Sequence, residues 1–266
     1  MTNTLSSEEV FHDTLTLWGE GSPDDDDTAS FQYADLVLSL PPKEGKANSL
    51  LADQLFSPSL LLAEKIERNL IPVEGRTILE LGAGCALPSL LAATSERPPS
   101  LVVATDFPDR IIMQNLENNV HRNVPHSSLI KTFGYSWGTD PLPLLNTLRS
   151  EFPDAAAAGF DCMILSDLLY FDKSHEDLVR SITLFLRPSS LSRVYVAAGN
   201  YTPSVVCDNF FKIAEQSGLE WKEGEDDQDW RGTLPVKSLD REALIARKCM
   251  CRWWVGRWRA YRDQGF

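Results

Sequence analysis

A doubly wound α/β fold with a seven-stranded sheet is predicted by three observations. Short, continuous apolar runs alternate with helical patterns from residue 77 to residue 255, the pattern of a parallel sheet covered on both faces. The first run, Thr77–Leu81, turns through Gly82-Ala83-Gly84 into a helix with Pro88 near its start, where a missing N–H costs nothing. The second run ends in Asp106, 22 residues after Gly84, the spacing at which an acidic side chain bridges ribose hydroxyls.

The elements follow in order. Residues 1–50 read as an N-terminal extension and 51–266 as the main domain. In the extension, Leu15–Trp18 and Phe31–Leu40 are β-prone and predict a hairpin across a Gly-Ser-Pro-Asp turn and the acidic run Asp24–Asp27, a solvated loop. A helix is expected from Ser57 as N-cap and Pro58 at its first position, with Leu62, Ile66 and Leu70 on its buried face and Pro72 as its end. Strands are predicted at Thr77–Leu81, Leu101–Thr105, Leu129–Thr132, Cys162–Leu165, Val194–Ala198, Glu220–Lys222 and Cys249–Val255. Helices are predicted at Pro88–Thr94, Ile111–Val120, Leu142–Phe152, His175–Leu186 and Ser204–Ser217, with Ala155–Ala158 as a surface loop or helix end. The last strand follows the polar stretch Gly224–Asp229 and reads as an antiparallel addition. Its tail, CRWWVGRWRAYRDQGF, interleaves aromatics with arginines. That mixture suits stacking on nucleic acid, but a strand with residues facing two layers explains it better in so acidic a chain.

With 266 residues, 43% hydrophobic and 9% aromatic, the chain can bury one large α/β core. A net charge of −13 argues against nucleic acid and anionic membranes as partners and fits a basic or neutral substrate. Five cysteines, an odd number set mostly in apolar runs, read as free thiols in a reducing compartment. Cys249 and Cys251 are expected on one strand face, too close for a zinc knuckle. No metal site, membrane span or signal peptide is expected, and the chain reads as a cytoplasmic monomer.

The ligand of such a sheet lies beyond the carboxyl ends of its strands, where strand order reverses. Those ends supply Gly82–Gly84, then Asp106-Phe107, then Gly134–Gly138 with Trp137, then Ser166–Tyr170. A dinucleotide fingerprint needs a third glycine at position 87, where the chain has Leu87. The pattern is Glu80-x-Gly82-x-Gly84-x-Ala86, a turn without a phosphate cradle, which suits S-adenosylmethionine. Phe107 and Trp137 offer flat surfaces for adenine, and Asp106 offers acceptors for ribose. Asp167 is placed to orient an acceptor amine, with Tyr170 shaping the pocket. A turn or cap role is the alternative for Asp167. Methyl transfer depends on alignment and desolvation, so a strong general base is optional.

ILELGAGCALPSLLA, VVATDFPD, GYSWG and SDLLYFDKSHEDL together resemble, over residues 50–258, the motifs of methyltransferase family 16. The similarity is to its fungal branch of nicotinamide N-methyltransferase-like and elongation factor 1-alpha lysine methyltransferases. It implies a class I, Rossmann-like, S-adenosylmethionine-dependent enzyme. It implies cofactor contacts from Gly82, Ala83, Gly84, Asp106, Trp137 and Ser166, with Asp167 and Tyr170 at the acceptor. Members carry Trp at the start of the first helix; this chain has Phe56, which keeps an aromatic face and loses the indole donor. The expected activity is N-methylation of a lysine or N-terminal amine on a basic protein such as a translation elongation factor. A small amine, nicotinamide or a metabolite, is the second acceptor class, and a non-catalytic binding module the third reading.

Overall fold

The computed structural model describes residues 30–261 except 53, 126–127, 153–158, 226 and 238. The segment Leu15–Trp18, the acidic run Asp24–Asp27 and Ala155–Ala158 lie outside the described residues.

The chain opens with strands β1 (Ser30–Tyr33) and β2 (Leu36–Ser39), antiparallel to each other. Both strands of this hairpin come from the single apolar segment Phe31–Leu40, turning at Ala34 with φ +50°. Two short helices follow, α1 (Gly45–Ser49) and α2 (Ser57–Glu67). Ser57 is the first helical residue rather than the N-cap; Phe56 caps the helix without a side-chain hydrogen bond. α2 stops at Glu67, short of Pro72, so Leu70 stands 45% exposed instead of on the buried face.

The βα alternation then runs β3 (Thr77–Leu81), α3 (Leu87–Ala93), β4 (Leu101–Asp106), α4 (Arg110–Asn123), β5 (Ile130–Gly134), α5 (Leu142–Glu151) and β6 (Cys162–Ser166). It continues with α6 (His175–Phe185), β7 (Arg193–Gly199), α7 (Ser204–Gln216), β8 (Leu219–Glu223), α8 (Arg241–Cys249) and β9 (Cys251–Trp258). The seven strands β3–β9 form one sheet in the order β5-β4-β3-β6-β7-β9-β8. β9 is antiparallel to both neighbours, and the remaining pairs are parallel. Ile78, Leu79, Leu81, Val102, Val103, Ile164, Leu165, Val194 and Val196 are fully buried, as a sheet covered by helices on both faces requires.

Helix α8 covers residues 241–248, to which the sequence pattern assigns no element, and Cys249, expected to open the last strand. Asp240 caps it by accepting from Ala243 N–H at 2.8 Å. Cys249 therefore closes a helix while Cys251 opens a strand, and the two do not share a strand face. The buried face of α8 carries Leu244, Arg247 and Lys248. Lys248 Nζ meets Glu64 Oε2 of α2 at 2.9 Å, both groups nearly inaccessible, and Asp227 at 3.4 Å. A buried charge is tolerated when paired in this way.

The hairpin is fastened to α4 by asparagines one helical turn apart. Asn119 Oδ1 accepts from Ser39 N–H at 2.8 Å, Asn123 Oδ1 from Val37 N–H at 2.8 Å, and Asn115 Nδ2 donates to Ser39 O at 3.0 Å. In the tail, Trp254 is buried, Trp253 lies under the Lys65 ammonium, and the Trp258 indole donates to Arg187 O. These aromatics are spent inside the fold. All five cysteines are free thiols. No cluster of metal-ligating side chains and no helix long and apolar enough to cross a membrane occur among the described residues.

Candidate active site

Strand order reverses between β3 and β6, and the loops leaving these two strands meet there. They are so close that a Cβ on Gly82 would come within 2.6 Å of Leu168 Cδ2. The crevice deepens into a cavity of about 230 Å3. Phe56, Gly82, Ala83, Gly84, Asp106, Trp137, Ser166, Asp167 and Tyr170 all line it. Five segments far apart in sequence thus bring every candidate site residue to one place.

Gly82 and Gly84 have φ of +61° and +55°, a conformation open to glycine at little cost. Space beyond Gly84 is empty to 4 Å from an ideal Cβ, so the turn offers bare backbone to a ligand. The buried Asp106 carboxylate braces the turn. Its Oδ2 accepts from Gly84 N–H and its Oδ1 from Phe107 N–H, each at 2.7 Å. Burial holds its pKa above the usual carboxylate value, against the pull of those two bonds. Each oxygen keeps a lone pair for a hydroxyl.

Glu80 opens the glycine motif from within β3. It does not border the cavity; it is 1% exposed and accepts at Oε2 from both N–H and Oγ–H of Ser89. Desolvation pushes its pKa up to about 8. Glu80 is therefore a strut between β3 and the start of α3.

Beyond Asp106, Phe107 carries the Lys46 ammonium 5.8 Å from its ring centre, and Trp137 packs edge-on against Phe171 at 5.4 Å. Ser166 Oγ and Gln54 Oε1 are buried on the cavity wall without a hydrogen-bond partner among the described residues. A buried polar atom left unpaired is costly, and these two, with the open face of Gly84, fit a polar ligand of cofactor size. The opposite wall is Leu50–Ala52 and Gln54–Phe56, tied down by the Tyr170 hydroxyl, which donates to Leu50 O at 3.3 Å. His175 holds the loop that carries Tyr170. Asn209 Nδ2 faces its Nδ1 at 3.1 Å, and its Nε2 meets Leu169 O at 2.7 Å.

Among the lining residues that sequence reading does not single out are Gln54, in a segment without periodicity, and Asp177 in the first turn of α6. Asp177 is exposed at the cavity mouth. An acid early in a helix is usually a dipole complement, which hides its second position beside Gly138, whose Cβ would come within 2.5 Å of Asp177 Oδ1.

A reversing parallel sheet with a glycine turn, a bracing acid on the next strand end and an adjacent cavity define an S-adenosylmethionine-dependent methyltransferase. The crystal structure of SMU.776 complexed with SAH superposes with a TM-score of 0.52 at 12% identity, covering 90% of this chain and 57% of the other. A family model described as lysine methyltransferase matches residues 51–216, so the chain belongs to that family. Among curated relatives, the protein N-terminal and lysine N-methyltransferase efm7 of Schizosaccharomyces pombe is 32% identical over 176 residues, 65% of this chain and 67% of the relative. Its counterpart from Gibberella zeae is 35% identical over 178 residues, 64% and 66% of the two chains. This chain thus aligns with about two thirds of their length.

Proposed function

We propose that this enzyme methylates amines of a basic protein, either a lysine side chain or an N-terminal amine, in the cytoplasm and as a monomer. One observation carries the reading: the charged residues of the described cavity lining are three carboxylates, Asp106, Asp167 and Asp177, with no lysine or arginine. Such a wall favours a cationic ligand and repels an anionic one. The relatives named above, whose names specify protein N-terminal and lysine acceptors, support the same class.

S-adenosylmethionine supplies an electrophilic methyl group on a sulfonium. The chain's part is to hold, align and dry the acceptor. In this reading Gly82–Gly84 pack against the amino-acid end of the cofactor, Ser166 Oγ and Gln54 Oε1 take its polar groups, and Asp106 accepts from ribose. Trp137 and Phe56 supply apolar faces. Asp167 and Tyr170 face the acceptor, where the carboxylate attracts an ammonium and orients the amine that remains after it loses its proton to water. Asp177 at the mouth draws basic sequence toward the cavity, an attraction that salt screens over about 8–10 Å.

The test is to incubate the purified protein with labelled S-adenosylmethionine and a lysate of cells lacking the enzyme. A discrete labelled protein is expected, with the label on a lysine or N-terminal residue by mass spectrometry. Asp177→Asn should raise the acceptor concentration needed for half-maximal rate by about fivefold and flatten its salt dependence, at unchanged cofactor affinity. Label confined to nicotinamide or another small amine would overturn the protein-substrate reading.

A further inference from the structure

Asp167 sits at φ +59°, a left-handed conformation that a non-glycine residue keeps only when its surroundings impose it. The end of β7 imposes it here. Asp167 N–H donates to Ala197 O at 2.8 Å, and Gly199 N–H donates to Asp167 Oδ1 at 3.2 Å. The Tyr201 hydroxyl donates to the other oxygen, Oδ2. Tyr201 reaches it by lying directly over Gly199, where any Cβ would come within 2.1 Å of the ring. The ring also meets Phe56, 6.1 Å between centroids. Tyr201 itself is not among the described residues lining the cavity, whereas Asp167 and Phe56 are.

We infer that Tyr201 is a positioning residue for methyl transfer, acting through Asp167. A carboxylate with each oxygen anchored by a donor from one strand end has little freedom to rotate. Held in that orientation, the carboxylate presents a fixed target to the acceptor amine. Near-attack alignment is what this reaction needs, and a small misplacement of a reacting group lowers the rate steeply. The inference rests on Asp167 being the acceptor-facing carboxylate, and its test separates the two. Nothing in the sequence joins residues 167 and 201; the parallel pairing of β6 and β7 does.

The experiment measures initial rates of label transfer from S-adenosylmethionine to total protein of cells lacking the enzyme, with cofactor affinity by calorimetry. Asp167→Asn is expected to lower the rate by about a hundredfold. Tyr201→Phe keeps the ring on Phe56, so it should leave cofactor affinity unchanged and lower the rate by about tenfold, the scale of one hydrogen bond to a charged group. In the double variant, Tyr201→Phe should cost nothing further, because its effect passes through the carboxylate. para-Aminophenylalanine at position 201, which keeps ring and donor, should stay within about threefold of the unaltered enzyme. A wild-type rate for Tyr201→Phe, the same loss in the Asp167→Asn background, or no recovery with the amino analogue each overturns the positioning role alone. A wild-type rate for Asp167→Asn overturns the acceptor-facing role of Asp167 and the inference with it.

Discussion

Replacing Glu80 with glutamine tests what burial does to the acid beneath the glycine turn. Glu80 is inaccessible, Ser89 donates twice to its Oε2, and Oε1 has no partner among the described residues. Desolvation moves its pKa from 4.5 to about 8, with the Asp106 charge adding to the rise and the Ser89 bonds opposing it. The folded protein therefore holds a proton here that the unfolded chain releases near pH 4.5. The associated stability is fully present below that pH and is lost as pH climbs toward about 8. Each pH unit in that window is worth about 1.4 kcal/mol, so the whole interval amounts to about 4–5 kcal/mol. Glu80→Gln keeps an acceptor for Ser89 and stays neutral throughout. Urea unfolding of the cofactor-free protein and the variant, from about pH 5 to about pH 8.5, reads the difference. The variant should gain on the parent steadily with pH and be the more stable protein at the alkaline end. Two parallel profiles would refute the neutral buried carboxyl.

Two further substitutions separate the cavity from its supports. Gly84→Ala places a methyl group in open cavity at φ +55°; it should cost about 1–2 kcal/mol of stability and, in calorimetric titration, weaken S-adenosylmethionine binding by at least about tenfold. Lys248→Met leaves Glu64 buried without its short-range ammonium and should lower stability in denaturant titration by about 3–5 kcal/mol, with cofactor affinity of the folded variant unchanged.

The sheet was readable because its strands are buried on both sides, so each shows as an unbroken apolar run bounded by turn residues. The site was readable for a related reason: in a doubly wound sheet, strand ends must converge, and Gly82, Asp106, Trp137 and Asp167 stand at strand ends or just beyond. What escaped was set by partners remote in sequence. α8 has a cap signal in Asp240, yet its inner face is Arg247 and Lys248, residues that read as surface until Glu64, 184 positions before Lys248, is seen to pair with it. Tyr201 looks like any loop tyrosine until β6 and β7 pair. Gln54 lies in chain without periodicity, and its position follows from the tether between Tyr170 and Leu50. Glu80 was legible as a conspicuous acid, but its direction, toward Ser89 and away from the cavity, depends on how α3 leaves the turn.

The placement of β9 bears on how the molecule is made. β8 lies at the margin of the sheet and has β9 as its neighbour there, while β9 also covers the flank of β7. A chain emerging from the ribosome delivers β3 to β7 first, and these can assemble in parallel as they appear. β8 arrives next with nothing to join, and β7 carries an open edge, a template for misplaced pairing. Both are resolved at once when residues 251–258 slot between them. The glycine turn and its carboxylate brace can thus form on a nascent chain, but the sheet behind Asp167 and Tyr201 locks only when β9 is in place.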